Sequence, residues 1–272
     1  MKEFRELAIK AAKEAGSILR ENLGRIRKID YKGKARPAPI YWGGVNLVTD
    51  IDRKAEERII GIIKKEHPSH DILTEERRIE EKGSQYKWII DPLDGTTNYV
   101  HGYPRYCVSI ALEKNGEVIL GVVYDPVPDE LFLAEKGKGA TLNGRKISVS
   151  KINKLDKSLL ATGFPYDRRE RADEYLKIYR EFMVNSQGVR RDGSAALNLC
   201  YTANGRFDGF WEEQLAPWDV AAGSLIVTEA GGRVTDFKGD RIDIYEKEIL
   251  ASNGKIHKEM EETLAKSIKK SP

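Results

Sequence analysis

Residues 88–98 read Trp88-Ile89-Ile90-Asp91-Pro92-Leu93-Asp94-Gly95-Thr96-Thr97-Asn98, and the fold of the chain is read outward from them. Trp88 to Ile90 have the character of a buried strand's end. Pro92 cannot extend a hydrogen-bonded ladder, and Asp94-Gly95 turns the chain toward a helix expected to start near Thr96. Two carboxylates therefore emerge at the end of one strand. Asp91, Asp94 and the intervening Leu93 carbonyl suit a hard cation, while free N–H groups near Gly95 and Thr96 suit a phosphate. Asp-Pro and Asp-Gly taken separately are ordinary turn dipeptides, so it is the complete string that carries the information.

Upstream, apolar residues from Phe4 to Leu19 recur at three- and four-residue steps, the period of a helix burying one face. IDRKAEERIIGIIKKEHP, residues 51–68, repeats that period and stops at Pro68. Between the two helices, residues 31–46 are rich in Gly and Pro and read as a long loop. DILT (71–74) and YKWII (86–90) are short strands. VSIALEKNGEVILGVVYD (108–125) is a hairpin turning at Asn115-Gly116, and a second Asn-Gly, at 143 and 144, separates two further β-rich runs. Residues 1–154 thus read as an antiparallel, meandering half with helices. From 155 to 272 helices and strands alternate, with helices near 172–183, 194–205, 217–232 and after Ile256, and a strand at 207–211. No linker divides the halves, so the expectation is one domain over 1–272.

Charge and composition exclude several classes. With 46 basic and 43 acidic residues the net charge of +3 creates no field that calls for nucleic acid as a partner. No apolar run approaches the roughly 20 residues that span a bilayer, and the amino terminus lacks the continuous apolar centre of a secretory signal. A cytoplasmic, non-membrane protein is expected. Cys107 and Cys200 lie in apolar stretches without metal-ligand spacing and read as core residues. The histidines at 67, 70, 101 and 257 read as surface or structural.

The string D-P-L-D-G-T-T-N after W-I-I resembles the signature of the inositol monophosphatase family. The resemblance extends to LVTDIDRKAEE (47–57), to Glu75-Glu76, to GSAALNLCYTANGRFDGFWE (193–212) and to PWDVAAGSLIVTEAGG (217–232), in the family's order. It implies an α+β fold, the layered αβαβα sugar-phosphatase sandwich. It also implies Mg²⁺-dependent hydrolysis of a small phosphate monoester by activated water, with inositol monophosphate the first substrate and fructose 1,6-bisphosphate the rival. Two to three Mg²⁺ ions are implied, which Mn²⁺ replaces. The first matches Glu75, Asp91 and the Leu93 carbonyl, the second Asp91, Asp94 and Asp219, and a third, weaker ion the Glu75 position. Asp52 matches the acid that works with Thr96 on the attacking water, with Glu75 grouped among the catalytic residues. Asp94, Gly95, Thr96, Ser194, Ala195 and Glu212 match positions that meet the substrate, Ser194 and Ala195 within the loop begun by Gly193. Family members are commonly homodimers, and some bacterial relatives act in transcription complexes, a binding role that needs no turnover.

The physics agrees with that assignment. Four carboxylates brought together repel unless cations neutralise them. Glu212 and Glu213 cannot both face one site if their strand is extended. A second substrate phosphate needs cationic partners, for which Arg168 and Arg169 in GFPYDRRER, beside Tyr166, and Arg190 and Arg191 in GVRRDGSAA are candidates, Arg168 and Arg191 foremost. Two departures stand out. Thr74 replaces the Gly common before the acidic pair, and residues 33–44 make a longer connection than usual, either a surface loop or a flap over the site.

Overall fold

The computed structural model describes residues 1–24, 29–31, 47–76 and 81–269; the loop 33–44 lies outside them. The helical period at the amino terminus becomes α1 (Lys2–Asn22), which buries Leu7, Ala8, Ala11, Ala15 and Leu19 along one stripe. After the short pair β1 (Ile29–Tyr31) and β2 (Leu47–Thr49), α2 (Asp50–Glu66) begins at a capping box in which Thr49 and Asp52 bond reciprocally. The chain continues through β3 (Asp71–Thr74), β4 (Tyr86–Asp94), the single turn α3 (Thr96–Val100), β5 (Cys107–Lys114), β6 (Glu117–Asp125), β7 (Glu130–Glu135), β8 (Ala140–Leu142) and β9 (Arg145–Lys146). These strands form a seven-stranded sheet in chain order, β3 to β9. Both Asn-Gly pairs are its turns, with positive φ at Asn115, Gly116, Asn143 and Gly144.

One expectation is corrected. The first half is not wholly antiparallel, because β3 pairs parallel to β4. A parallel neighbour requires the chain to run back between the two strands. Asp71, at the start of β3, fastens the returning segment by accepting from the backbone N–H groups of Lys82 at 2.7 Å and Ser84 at 3.2 Å.

The second half contributes β10 (Leu159–Thr162), α4 (Ala172–Asn185), β11 (Gly188–Arg190), α5 (Ala195–Ala203), β12 (Gly209–Glu213), α6 (Pro217–Glu229), β13 (Arg233–Thr235), β14 (Glu248–Ser252) and α7 (His257–Lys269). Its sheet has the order β11-β10-β12-β14-β13, parallel where helical crossovers join strands and antiparallel at β14.

Strand alternation sorts the layers. On the first sheet Trp88, Ile90, Val108, Ile110 and Val122 pack against α1 and α2, while Ile89, Cys107, Ala111 and Val123 face α5 and α6. On the second, Phe210 and Ala251 meet α5 and α6 from the other side, and Trp211 and Leu250 meet the layer of α4 and α7. The order is helices, sheet, helices, sheet, helices, the αβαβα sandwich. The central helices approach their neighbours closely. A Cβ at Gly121 would lie 2.7 Å from the Ala222 carbonyl, and one at Gly223 2.6 Å from Leu199 Cβ. Among the described residues no helix is long and apolar enough to cross a membrane.

His257 is fully buried at the start of α7 and ties that helix to the second sheet. Thr235 Oγ1 donates to the Asp236 carbonyl at 2.7 Å, so it accepts from His257 Nε2 at 2.9 Å, and Ser252 Oγ donates to Nδ1 at 2.8 Å. That network fits one neutral tautomer. Burial, and next the positive charge of Arg233, push its pKa from 6.5 down to about 4, outweighing Glu261, whose Oε1 lies 3.3 Å from Nε2 but is itself ion-paired with Arg233 at 3.1 Å. The unfolded chain therefore binds one more proton between those values. Stability should be complete above about pH 6.5 and fall by up to about 3 kcal/mol as pH drops to about 4. Urea unfolding of the protein and of His257→Gln at pH 7 and pH 5 checks this: the variant should be less stable at pH 7 and lose this part of the pH slope.

Candidate active site

The end of β4 places the two signature carboxylates on one face by an irregularity. Asp91 pairs with Ser109 and Asp94 with Cys107, so two residues on β4 stand opposite one on β5. Without that extra residue Asp91 and Asp94, three apart, would point to opposite faces. The bulge turns Leu93 into the α1–α2 core and leaves both carboxylates toward α5 and α6. Glu75 lies one residue beyond the Thr74–Ile90 pair and so leaves β3 beside Asp91.

Helix starts hold the acids. Asp94 Oδ2 accepts from Ser194 Oγ at 2.6 Å and from the Ala196 N–H at 2.8 Å, both at the beginning of α5. Asp219, in the first turn of α6 after Pro217, accepts from the Ala216 N–H at 2.7 Å. Asp52, in the first turn of α2, accepts from the Thr49 N–H at 2.9 Å and from the Thr49 hydroxyl through Oδ2. Its Oδ1 lies 3.2 Å from Thr96 Oγ1, which also reaches the Leu93 carbonyl at 3.1 Å. Favourable interaction with a helix N-terminus offsets part of the cost of burying each charge.

Asp91, Asp94 and Asp219 present oxygens that all lie within 4.8 Å of one another. They line a cavity of about 430 Å³ together with Glu75, the Leu93 backbone, Gly95 and Thr96 on one side and Ala195, Glu212, Arg168 and Arg191 on the other. Burial, and next the charge of Glu75, lift Asp94 to about 6 against the lowering effect of its hydrogen bonds. Asp219 is also raised well above the usual carboxylate range, by burial first and then by Asp94 and Glu75. Burial lifts Glu212 to about 8, opposed by Arg191. An oxygen-only donor set of crowded acids fits a hard divalent cation, whose charge removes the repulsion and favours the ionised carboxylates.

The remaining candidates separate. Ser194 lies behind the wall, with its hydroxyl given to Asp94 and its oxygen accepting the Leu197 N–H as the cap of α5. Asp52 is fully buried one side chain behind Thr96. Glu212 and Glu213 both contribute to the cavity lining; Glu212 lies on the α5–α6 side of β12, and Glu213 is also ion-paired with Arg171 at 3.6 Å. Tyr166 joins the lining, and Arg169 and Arg190 do not. Cys107 and Cys200 are fully buried with thiol pKa values pushed up by burial, but Cys107 Sγ also lies 3.8 Å from Asp94 Oδ2. Two contributors were missed by the sequence reading. Thr49 caps α2 and holds Asp52, and its signal is the box Thr49-x-x-Asp52. Gly163 follows β10 where a Cβ would collide with the Glu212 carboxylate, and its signal is a glycine directly after a strand.

The model of the inositol monophosphatase family matches residues 1–272. An inositol-1-monophosphatase of Synechocystis sp. is 45% identical over 261 residues, covering 96% of this chain and 88% of the relative. Nus factor SuhB of Pseudomonas aeruginosa is 40% identical over 269 residues, covering 97% and 96%. The solved inositol monophosphatase from an Anabaena (Nostoc) species is 42% identical, with a TM-score of 0.86 over 97% of this chain and 96% of that one.

Crowding of the acids has a consequence measurable without turnover. Asp219→Asn removes one negative charge and keeps an oxygen for the Ala216 N–H. In chelator the variant should melt about 2–4 °C above the parent, the shift expected for relief of about 1 kcal/mol of repulsion. Added Mg²⁺ should raise the melting temperature of the parent, and that of the variant much less. Differential scanning calorimetry with and without Mg²⁺ reads both effects, and an Asn variant less stable than the parent in chelator would contradict the repulsion.

Proposed function

The chain belongs to the inositol monophosphatase family, and from that membership we propose that it hydrolyses the phosphate monoester of a small polyol, with inositol monophosphate as the first substrate. The observation that carries this reading is the convergence of Asp91, Asp94 and Asp219 beside the Gly95-Thr96 turn, in a cavity sized for a phosphorylated ring. Glu75, Asp91 and the Leu93 carbonyl are the proposed holders of one Mg²⁺, and Asp91, Asp94 and Asp219 of a second, with a weaker third near Glu75; Mn²⁺ has compatible chemistry. When bound, the ions supply Lewis acidity toward phosphoryl oxygens and a lowered pKa for water.

The chain's own residues orient the reaction. Thr96 Oγ1 donates to Asp52, which leaves a lone pair on the threonine for a water O–H. Asp52 is kept in place by both Thr49 bonds, so it fixes the direction of the Thr96 hydroxyl and accepts the proton relayed through it. The amides of Gly95 and Thr96 receive the phosphate. Glu212, in the space left by Gly163, meets a ring hydroxyl, with Ala195 on the neighbouring wall. The reading takes residues 1–272 as one catalytic unit and includes a cytoplasmic homodimer.

A second substrate, fructose 1,6-bisphosphate, is favoured by Arg168 and Arg191. The two guanidiniums are close enough that Arg191, after burial, lowers the pKa of Arg168, and neither has a carboxylate within 4.0 Å among the described residues. Unpaired cations facing a cavity suit a second phosphate. A binding role in a transcription complex is compatible with relatives named Nus factor SuhB and would coexist with turnover.

Phosphate release from inositol 1-phosphate and fructose 1,6-bisphosphate, in Mg²⁺ and then in excess chelator, tests the proposal. Release should require Mg²⁺, Ca²⁺ should inhibit, and Asp91→Asn should lower turnover by about a thousandfold or more while the fold persists. Full activity in chelator would reject the reading. Arg168→Ala and Arg191→Ala should reduce kcat/KM for the bisphosphate about tenfold more than for the monophosphate. Equal losses would assign both arginines to general phosphate binding.

A further inference from the structure

Asn98 closes the signature stretch, yet the catalytic reading gives it no task. It is 9% exposed, and its amide nitrogen donates twice, to the Arg105 carbonyl and to the Asp192 carbonyl, each at 2.7 Å. The first carbonyl belongs to the loop entering β5, the second to the loop entering α5, 87 residues further along the chain.

Two glycines bring these loops together. Gly95 has φ +94, and a Cβ there would lie 2.8 Å from the Arg105 carbonyl oxygen and 3.4 Å from that of Gly193. Gly193 has φ +84, and a Cβ there would lie 3.0 Å from both Asn98 amide atoms and 2.9 Å from an Arg191 guanidinium nitrogen. Both backbones are in the left-handed region, and neither site has room for a side chain. Three loops therefore close around one amide.

The segments beyond this joint differ in what else secures them. Ser194 and Ala196, which hold Asp94, belong to a helix whose Ala196, Leu197 and Leu199 are buried in the central core. Arg191, on the other side of the joint, is exposed and has no carboxylate partner among the described residues. Core packing fixes the metal-facing side, whereas on the substrate-facing side the sheet pairing ends at Arg190, opposite Ala161, and the residues from Arg191 to Gly193 depend on the joint. Only an amide of this length offers two N–H groups from one nitrogen: serine offers one donor, alanine none, and aspartate turns acceptors toward two carbonyls.

We propose that Asn98 is a positioning residue for the substrate: its side-chain amide fastens the Arg191–Gly193 wall to the Gly95 turn and sets the separation between the Arg191 guanidinium and the phosphate-receiving amides. This rests on the phosphatase reading of the cavity.

Asn98→Ser, Asn98→Ala and Asn98→Asp, assayed with fructose 1,6-bisphosphate and Mg²⁺, should raise KM in that order, by about threefold, tenfold and thirtyfold, as one bond, both bonds and then repulsion are changed. Aspartate should be worst because it also offers Arg191 a competing partner. kcat should stay within about threefold, and the Mg²⁺ concentration for half-maximal rate within about twofold. A readout independent of turnover is amide hydrogen exchange, which should accelerate at residues 190–194 in the variants and remain unchanged over Leu197–Ala203. His257→Gln, destabilised in the outer layer, provides the comparison for simple loss of stability. Unchanged KM, or exchange no faster at 190–194 than in His257→Gln, would overturn the proposal; should Asn98→Asp fail to fold, Asn98→Ser, with one bond kept, decides it. A parent protein that releases phosphate from neither fructose 1,6-bisphosphate nor inositol 1-phosphate would instead reject the phosphatase reading, one active only on inositol 1-phosphate would move the KM comparison to that substrate, and the exchange measurement would decide the joint in either case.

Discussion

Three carboxylates with oxygens inside 4.8 Å repel one another in surroundings that water screens poorly, and the architecture is arranged around holding them there. Asp91 comes from a strand end, and Asp94 joins it through the one-residue bulge. Asp219 arrives on the first turn of α6, while the first turn of α5 clamps Asp94 with a hydroxyl and a backbone N–H. Asp52 repeats the device on α2. Three helices thus direct their N-terminal ends toward the end of β4, supplying partial positive charge and donors where the acids gather. Burial first, and then the neighbouring carboxylates, raise the pKa values of Asp94 and Asp219, and a cation that relieves both costs is favoured there.

Such convergence needs a middle layer covered on both faces. α5 and α6 lie between two sheets, so small and apolar residues occupy nearly their whole circumference. Ala222 packs on Gly121 and Gly223 on Leu199 at distances that exclude a larger side chain. The close fit fixes where each helix begins, and the helix beginnings carry the chemistry. The outer layers, α1 with α2 and α4 with α7, complete the burial of the sheets' other faces.

Local features were readable wherever the physics is local. Helical period marked α1 and α2 and Asn-Gly marked two hairpins, but Pro92, read as closing the strand after Ile90, lies inside β4, which the bulge carries on to Asp94. The parallel pairing of β3 was not readable, because the connection that permits it is held by Asp71, a residue with no periodic signal. Ser194 shows the limit for single residues. Its motif places it near the substrate, but within hydrogen-bond reach it meets Asp94 and so serves a carboxylate. Strand alternation puts Glu212 on the α5–α6 side of β12, yet Glu213 also reaches the cavity lining, and the space that admits Glu212 comes from Gly163 just after another strand.

The sequence by itself determined the types and order of the chemical groups: an oxygen-only set of acids, the turn beside them, the helices and strands that carry them, and a pattern of motifs characteristic of one family. Tertiary structure alone decided which of those groups meet. Asp52 reaches Thr96 across 44 positions, Asp94 reaches Ser194 across 100, and Asn98 joins Arg105 to Asp192 across 94. Periodicity and capping report on neighbours within a few residues, whereas these contacts depend on how two sheets and three helical layers stack, and that stacking is set by the summed packing of the core.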